Sequence, residues 1–252
     1  MSSTQRIAQI KANFGIIDEY VPVAKNEALE AYWKNLKEYE ARHELDKEIP
    51  SAELIKNVLL SQLNQILAPQ GKEFIVDDQN EGFFKFMCLY LAKDVRIKDY
   101  LKGANHKVLN TFSFEKGICV CGTYGLGKSL ILRAASLLSV TGNSFGFTTT
   151  NTMVNEYQIQ GPKYMKEFFT KNRCIDDFGT EQKAFHYGKQ VNIFKTILEE
   201  RYNSFINKQT KTHISTNLTL EKIEDEYGSR VESRLHEMCN IVIMSGNDRR
   251  KM

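Results

Sequence analysis

Ile118-Cys119-Val120-Cys121-Gly122-Thr123-Tyr124-Gly125-Leu126-Gly127-Lys128-Ser129 is the stretch that decides the fold. Four apolar residues lead into a match to G-x-x-x-x-G-K-[ST], and an amphipathic helix over 128–140 follows, with its stripe at Leu130, Ile131, Ala134, Leu137 and Leu138. A phosphate loop needs this bracketing. Glycines let the loop turn its N–H groups inward, and the helix N-terminus adds a positive dipole. ATP contacts are therefore expected along Gly122, Thr123, Tyr124, Gly125, Leu126, Gly127, Lys128, Ser129 and Leu130. Lys128 is expected to reach the β- and γ-phosphates, and the Ser129 hydroxyl to ligate Mg²⁺.

Outward from this loop, strands alternate with helices. Short apolar runs at 118–121, 144–149, 174–177, 212–216 and 241–244 are separated by helical periodicity, as in the helix over 191–206 with Val191, Phe194, Ile197, Leu198, Tyr202 and Phe205 on one face. The alternation predicts an α/β fold with a five-stranded parallel sheet flanked by helices. Residues 77–94 are apolar nearly all round and are expected to be buried.

Three further elements carry chemistry. Arg173-Cys174-Ile175-Asp176-Asp177-Phe178-Gly179 is a short strand ending in two carboxylates. Asp176 is placed to hold the Mg²⁺ shell and Asp177 to polarise an attacking water, although paired acids at a strand end also serve as turn residues. Thr212-His213-Ile214-Ser215-Thr216-Asn217 ends in an amide that both donates and accepts. Asn217 could orient the water before the γ-phosphate, or cap a helix over 218–225. Ser229-Arg230-Val231-Glu232 has the form of a capping box, which puts Arg230 and Arg234 on one helix face, suited to a neighbour's γ-phosphate or to plain surface charge.

The first 70 residues read as helical. Leu29, Tyr32, Trp33, Leu36 and Tyr39 recur at helical spacing, and Ser51 opens a second helix whose wide face holds Leu54, Ile55, Val58, Leu59, Leu63, Ile66 and Leu67 before Pro69 and Gly71 stop it. That face either packs on the core or docks a partner protein.

Composition sets the frame. At 252 residues, 42% hydrophobic and 26% charged, the chain has the make-up of a globular protein with one sizeable core and a small extra domain, which excludes a disordered or collagen-like protein. Its longest apolar stretches fall far short of the roughly 18 residues of a membrane span. Lys11 and Asp18 interrupt any secretory apolar region, so a cytoplasmic protein without a membrane partner is expected. The net charge of +3 is a weak pointer to a polyanion: residues 1–70 carry 8 Lys+Arg against 10 Asp+Glu, and the remainder 26 against 21. Five scattered cysteines argue for reduced, buried thiols.

Taken in order, Gly122 to Ser129, Ile175-Asp176-Asp177-Phe178-Gly179, Ser215-Thr216-Asn217-Leu218, Gly228-Ser229-Arg230-Val231-Glu232-Ser233-Arg234-Leu235 and the run from Gly246 to Arg250 resemble the Walker A, Walker B, sensor 1, arginine-finger box and sensor 2 of AAA+ ATPases. The likeness is greatest to the DnaC-type helicase loaders and IstB-type transposition ATPases, and it covers roughly residues 74–251. It implies an AAA+ core over 71–252 behind an N-terminal helical partner-binding region over 1–70. Among single residues it implies Arg234 as the arginine finger, with Arg230 as the alternative, and Arg250 as the sensor-2 contact to nucleotide. It also implies a nucleotide-dependent homo-oligomer on single-stranded DNA, hydrolysing ATP and working with a replicative helicase in DNA replication. The IstB-like alternative is an ATPase on duplex DNA serving a transposase.

Two features depart from the family. The second Walker B acid is Asp177 where many members carry Glu, and the sequence ends just after the sensor-2 position, so no C-terminal lid is expected. Neither the cysteines nor the five histidines have ligand-like spacing, so zinc is not expected. A metabolite kinase would need an Arg-rich lid, and residues 157–172 hold Lys163, Lys166 and Lys171 but no Arg. A non-hydrolysing nucleotide-gated adaptor is the remaining alternative, should Asp177 be inert.

Overall fold

Strand pairing organises the chain, in a computed structural model that describes residues 50–103, 108–138, 143–181, 184–186 and 189–249. The helix read over 29–39 and Arg250 lie outside the described residues. The strands are β1 (Gly117–Gly122), β2 (Gly146–Thr149), β3 (Arg173–Phe178), β4 (Ala184–His186), β5 (Lys189–Val191), β6 (Thr212–Thr216) and β7 (Cys239–Met244). Five of them form one parallel sheet in the order β2-β3-β6-β1-β7, which realises all five strands expected from the sequence. The antiparallel pair β4 and β5 is an addition. Its three-residue strands are too short for any alternation to be visible.

Nine α-helices lie among the described residues: α1 (Ala52–Leu67), α2 (Glu81–Leu91), α3 (Ile97–Gly103), α4 (Lys128–Ser136), α5 (Thr150–Gln160), α6 (Pro162–Met165), α7 (Ile193–Lys208), α8 (Leu220–Tyr227) and α9 (Ser229–Met238). Because successive strand residues point to opposite faces, β1 feeds two cores. Ile118 and Val120 join α1, α2 and α4, whereas Cys119 and Cys121 join α5, α7, α8 and α9. All five cysteines are free and buried. No described helix is long and apolar enough to cross a membrane.

The start of α1 follows local chemistry. Ser51 Oγ accepts the Leu54 N–H at 3.2 Å, and Leu54, Ile55, Val58, Leu59 and Leu63 then turn inward against α2 and α4. Most of the wide apolar face is thus part of the core, with Ile66 partly buried against it. By contrast α4 stops at Ser136, four residues before the expected end, with the Leu137 N–H tightened onto the Ala134 carbonyl and Leu137 turned out to 40% exposure.

At the opposite end of β6 from the loop, His213 is fully enclosed between the rings of Phe145 and Tyr90, 4.2 and 6.0 Å away, and its Nδ1 has no hydrogen-bond partner among the described residues. Burial, reinforced by the Lys211 and Arg201 charges, pushes its pKa down to about 3. The imidazole is therefore neutral in the fold.

Replacing Leu59, fully buried on α1, with Ala should cost about 2–5 kcal/mol in urea denaturation, as for other buried leucines. Acid should destabilise through His213. Below an ordinary histidine pKa of about 6.5 the unfolded chain takes up a proton that the fold refuses, so stability present at neutral pH drains away as pH falls toward the folded value, by about 1.4 kcal/mol per unit. Between pH 6.5 and 5, wild type should lose about 2 kcal/mol more than His213→Phe, as read by paired denaturant titrations.

Candidate nucleotide site

The loop between β1 and α4 has the backbone that phosphate binding requires. Gly125 and Gly127 sit at φ 78° and 86°, in the left-handed region that favours glycine. A Cβ on Gly125 would lie 2.0 Å from Asp248 Oδ1, so side chain and conformation both exclude substitution there. Gly127 heads α4 without any side-chain cap, which leaves the first-turn amides for an anion. Leu126 is fully buried and Leu130 packs against the same core, so each has only its backbone to give a phosphate. Tyr124 is 57% exposed at the loop's crest.

Lys128 shows how the sheet gathers distant residues. Its Nζ donates to the Gly122 and Thr123 carbonyls, both at 2.7 Å, and to Asn217 Oδ1 at 2.9 Å. Helix α8 is capped by Thr219, whose Oγ1 accepts the Lys222 N–H at 3.3 Å, so the capping role open to Asn217 falls to Thr219 instead. Asn217 is left facing the loop lysine.

The acid pair lies at a bulge. Pairing of β3 with β6 slips between Ile175 and Phe178, and Asp177 takes φ 56° there. Asp176 is buried, and its Oδ1 accepts the hydroxyl of Ser215. Ser215 Oγ in turn accepts the Asp177 N–H at 3.1 Å and lies 3.4 Å from Ser129 Oγ. A hydroxyl has one proton, and Ser215 spends it on Asp176; Ser129 must then be the donor toward Ser215 and keeps its lone pairs for a cation. Ser129 and Asp176 together make an oxygen donor set suited to a hard divalent ion such as Mg²⁺. Ser215 carries no role in the sequence reading; its one signal is a hydroxyl at a fully buried strand position.

Arg230 and Arg234 share a face of α9, as their spacing predicts, but the capping box does not form. Gly228, at φ 94°, occupies the cap position, Ser229 is already helical, and the Glu232 carboxylate pairs with His236 at 2.8 Å. Arg234 is turned inward at 14% side-chain exposure, 3.3 Å from Glu199 and with its guanidinium 4.7 Å from the Tyr202 ring centroid. Arg230 reaches Glu199 only at 3.7 Å and is 74% exposed. Neither meets the Lys128 cluster within one chain. Of the expected site residues, Lys128, Ser129, Asp176 and Asn217 converge at the ends of β1, β3 and β6.

No family model and no curated protein matches this sequence. Among solved structures, the chain is similar to the DnaC helicase loader, at 14% identity and a TM-score of 0.47, over 68% of this chain and 93% of that one. DnaI matches at 13% identity and 0.47, over 71% and 88%. AMPPCP-bound DnaA from Aquifex aeolicus matches at 16% and 0.44, over 70% and 50%. The chain's own strand order, with β6 between the loop strand and the acid strand of a five-stranded parallel sheet, gives it a P-loop NTPase-type fold.

Ser215→Ala removes the hydroxyl that joins Ser129 to Asp176. The expected result is a loss of the Mg²⁺-dependent part of nucleotide affinity, about 1–3 kcal/mol for a buried carboxylate left short of a donor, with Mg²⁺-free affinity retained. Titration of a fluorescent ATP analogue with Mg²⁺ and with EDTA reads both terms.

Proposed function

We propose that the chain is an ATP- and Mg²⁺-dependent AAA+ ATPase of the helicase-loader kind, acting in DNA replication. In this reading it forms a homo-oligomer on single-stranded DNA and engages a replicative helicase. The observation that carries the nucleotide part is the meeting, at the ends of β1, β3 and β6, of two hydrogen-bonded groups that adjoin through consecutive residues: Lys128 with Asn217, and Ser129 with Ser215 and Asp176. Lys128 binds the β- and γ-phosphates, Ser129 and Asp176 hold Mg²⁺, Asp177 polarises the attacking water and Asn217 orients it. In the present geometry the Lys128 ammonium is held by loop carbonyls and the Asn217 amide, and a γ-phosphate would compete for the same ammonium. Asn217 would then sense whether ATP or ADP is bound. The loader role itself is supported by the order of the motifs along the sequence.

Oligomeric hydrolysis needs an arginine that can leave its own surface. Arg234 is drawn inward against Glu199 and Tyr202, whereas Arg230 on the same helix, 3.7 Å from the same carboxylate, is 74% exposed and better placed to extend toward a second protomer. We therefore assign the finger to Arg230, with Arg234 bracing the helix that carries it.

Arg230→Ala should bind ATP as wild type does and lose turnover on the order of 10³-fold, the scale of an arginine finger. Mixed with Lys128→Ala protein, which keeps Arg230 but cannot bind ATP, it should regain activity, because a hybrid interface joins an intact loop to an intact arginine. Steady-state hydrolysis across mixing ratios, with single-stranded oligonucleotide present, checks this. An arginine acting within its own chain would give no rescue at any ratio.

A further inference from the structure

The turn after the acid pair is held by a carboxylate that the nucleotide site does not use. The chain leaves β3 with Asp177 at φ 56° and Gly179 at φ 93°, and Glu181 folds back over the turn. One oxygen of Glu181 accepts the Gly179 N–H at 2.7 Å; the other accepts the Tyr227 hydroxyl. Inside the turn, the Asp177 carbonyl receives the hydroxyls of Thr150 and Thr180 at 3.1 and 2.8 Å and the Thr180 N–H at 3.1 Å. A Cβ on Gly179 would sit 2.3 Å from Leu218 Cδ1, so the turn lies directly against the residue after Asn217.

Tyr227 connects this turn to the rest of the molecule. It is the last residue of α8 and is 3% exposed, with its ring on Phe178 at 4.4 Å between centroids. Gly228 and then α9, with Arg230 in its first turn, follow at once. Burial raises both the Glu181 carboxyl and the Tyr227 hydroxyl above their ordinary pKa values, so the phenol keeps its proton and is the donor. A left-handed Asp persists only where its surroundings over-determine it, and here three donors and a bridging carboxylate do so.

We infer that Glu181 and Tyr227 are positioning residues for Asp177: the bridge from the Gly179 N–H through the Glu181 carboxylate to the Tyr227 hydroxyl fixes the turn that aims the Asp177 side chain, and couples that turn to the helix bearing Arg230. The inference rests on the reading of Asp177 as the water-polarising acid. It explains how a short Asp can be held steady at that position, and why the finger helix and the acid strand would respond together to a change at either.

The experiment measures ATP turnover, ATP affinity and thermal unfolding of the full chain for wild type, Tyr227→Phe, Glu181→Gln, the double variant and Asp177→Asn. Tyr227→Phe keeps the ring on Phe178 and deletes only the bridge, while Glu181→Gln keeps the shape and removes the charge. Both singles are expected to lower kcat about tenfold with KM and ATP affinity unchanged, and the double should be no worse than the more impaired single, since one bridge is broken in each. If both singles keep wild-type kcat while Asp177→Asn is inactive, the bridge is irrelevant and the inference falls alone. It also falls if the two losses multiply, or if affinity and melting temperature drop together with kcat, which would mark a merely structural contact. Wild-type turnover by Asp177→Asn, or none by wild type, would instead bring down the reading of Asp177 on which the inference depends.

Discussion

Insertion of β6 between β1 and β3 is the contact on which the candidate site depends. It sets Ser215 level with Val120 on one side, and on the other lets the bulge of β3 swing Asp176 and Asp177 toward the same hydroxyl. Ser215 and Thr216 are both fully buried, where an unmet donor or acceptor is costly. Each is satisfied across the strands: Ser215 as described above, and Thr216 by giving its proton to the Phe178 carbonyl at 2.6 Å and accepting the Leu218 N–H at 3.0 Å. In a low-dielectric interior such bonds strengthen one another, so the end of the sheet is rigid where a phosphate would meet it.

A parallel sheet has no hairpin turns to set its register, and here buried side chains at the other end do that work. Arg201, fully buried on α7, donates to Thr212 Oγ1 at 2.7 Å and to the Phe168, Lys171 and Lys211 carbonyls. Its acceptors lie just before β3 and at the start of β6, so one guanidinium aligns the two strands that carry the acids and Asn217. Without a carboxylate among these partners, burial lowers its pKa to about 10, still far above neutrality. Asn240 does the same for β1 and β7 by donating to the Ser113 and Gly117 carbonyls, both at 2.9 Å. Geometry at the site is thus set in part by polar residues a whole strand away from it.

Whatever depends on local pattern was legible in the sequence: the loop from Gly122 to Ser129, the five strands, the Ser51 cap and the inward face of α1. What depends on tertiary competition was not. Asn217 and Thr219 are both good cap residues two positions apart, and only the approach of Lys128 decides which one caps. Ser229 has the right spacing to Glu232 for a capping box, yet Gly228 can take φ 94° and moves the cap one residue upstream. Arg230 and Arg234 are indistinguishable by spacing. Glu199 and Tyr202, some thirty residues earlier on α7, draw one of them inward.

The segment after β7, the run that resembles sensor 2, also acts as a brace. Thr123 Oγ1 donates to the Gly246 carbonyl at 3.1 Å, the Asn247 N–H donates to Gln79 Oε1 at 2.8 Å, and Arg249 pairs with Asp77. Asp77 is not a loose counterion, since its Oδ1 also accepts the Gln79 and Asn80 N–H groups at 2.9 and 3.3 Å. Contact is close enough that a Cβ on Gly246 would meet Gln79 Oε1 at 2.3 Å and Leu126 Cδ2 at 2.8 Å. The phosphate loop is therefore pinned from outside by residues 246–249, which are pinned in turn to residues 77–80. A loop ordered in advance loses less conformational freedom on binding any ligand. The loop's contact with residues 246–249 is thus continuous with their contact to residues 77–80, from Thr123 through the Gly246 carbonyl to Asn247 on Gln79 and Arg249 on Asp77.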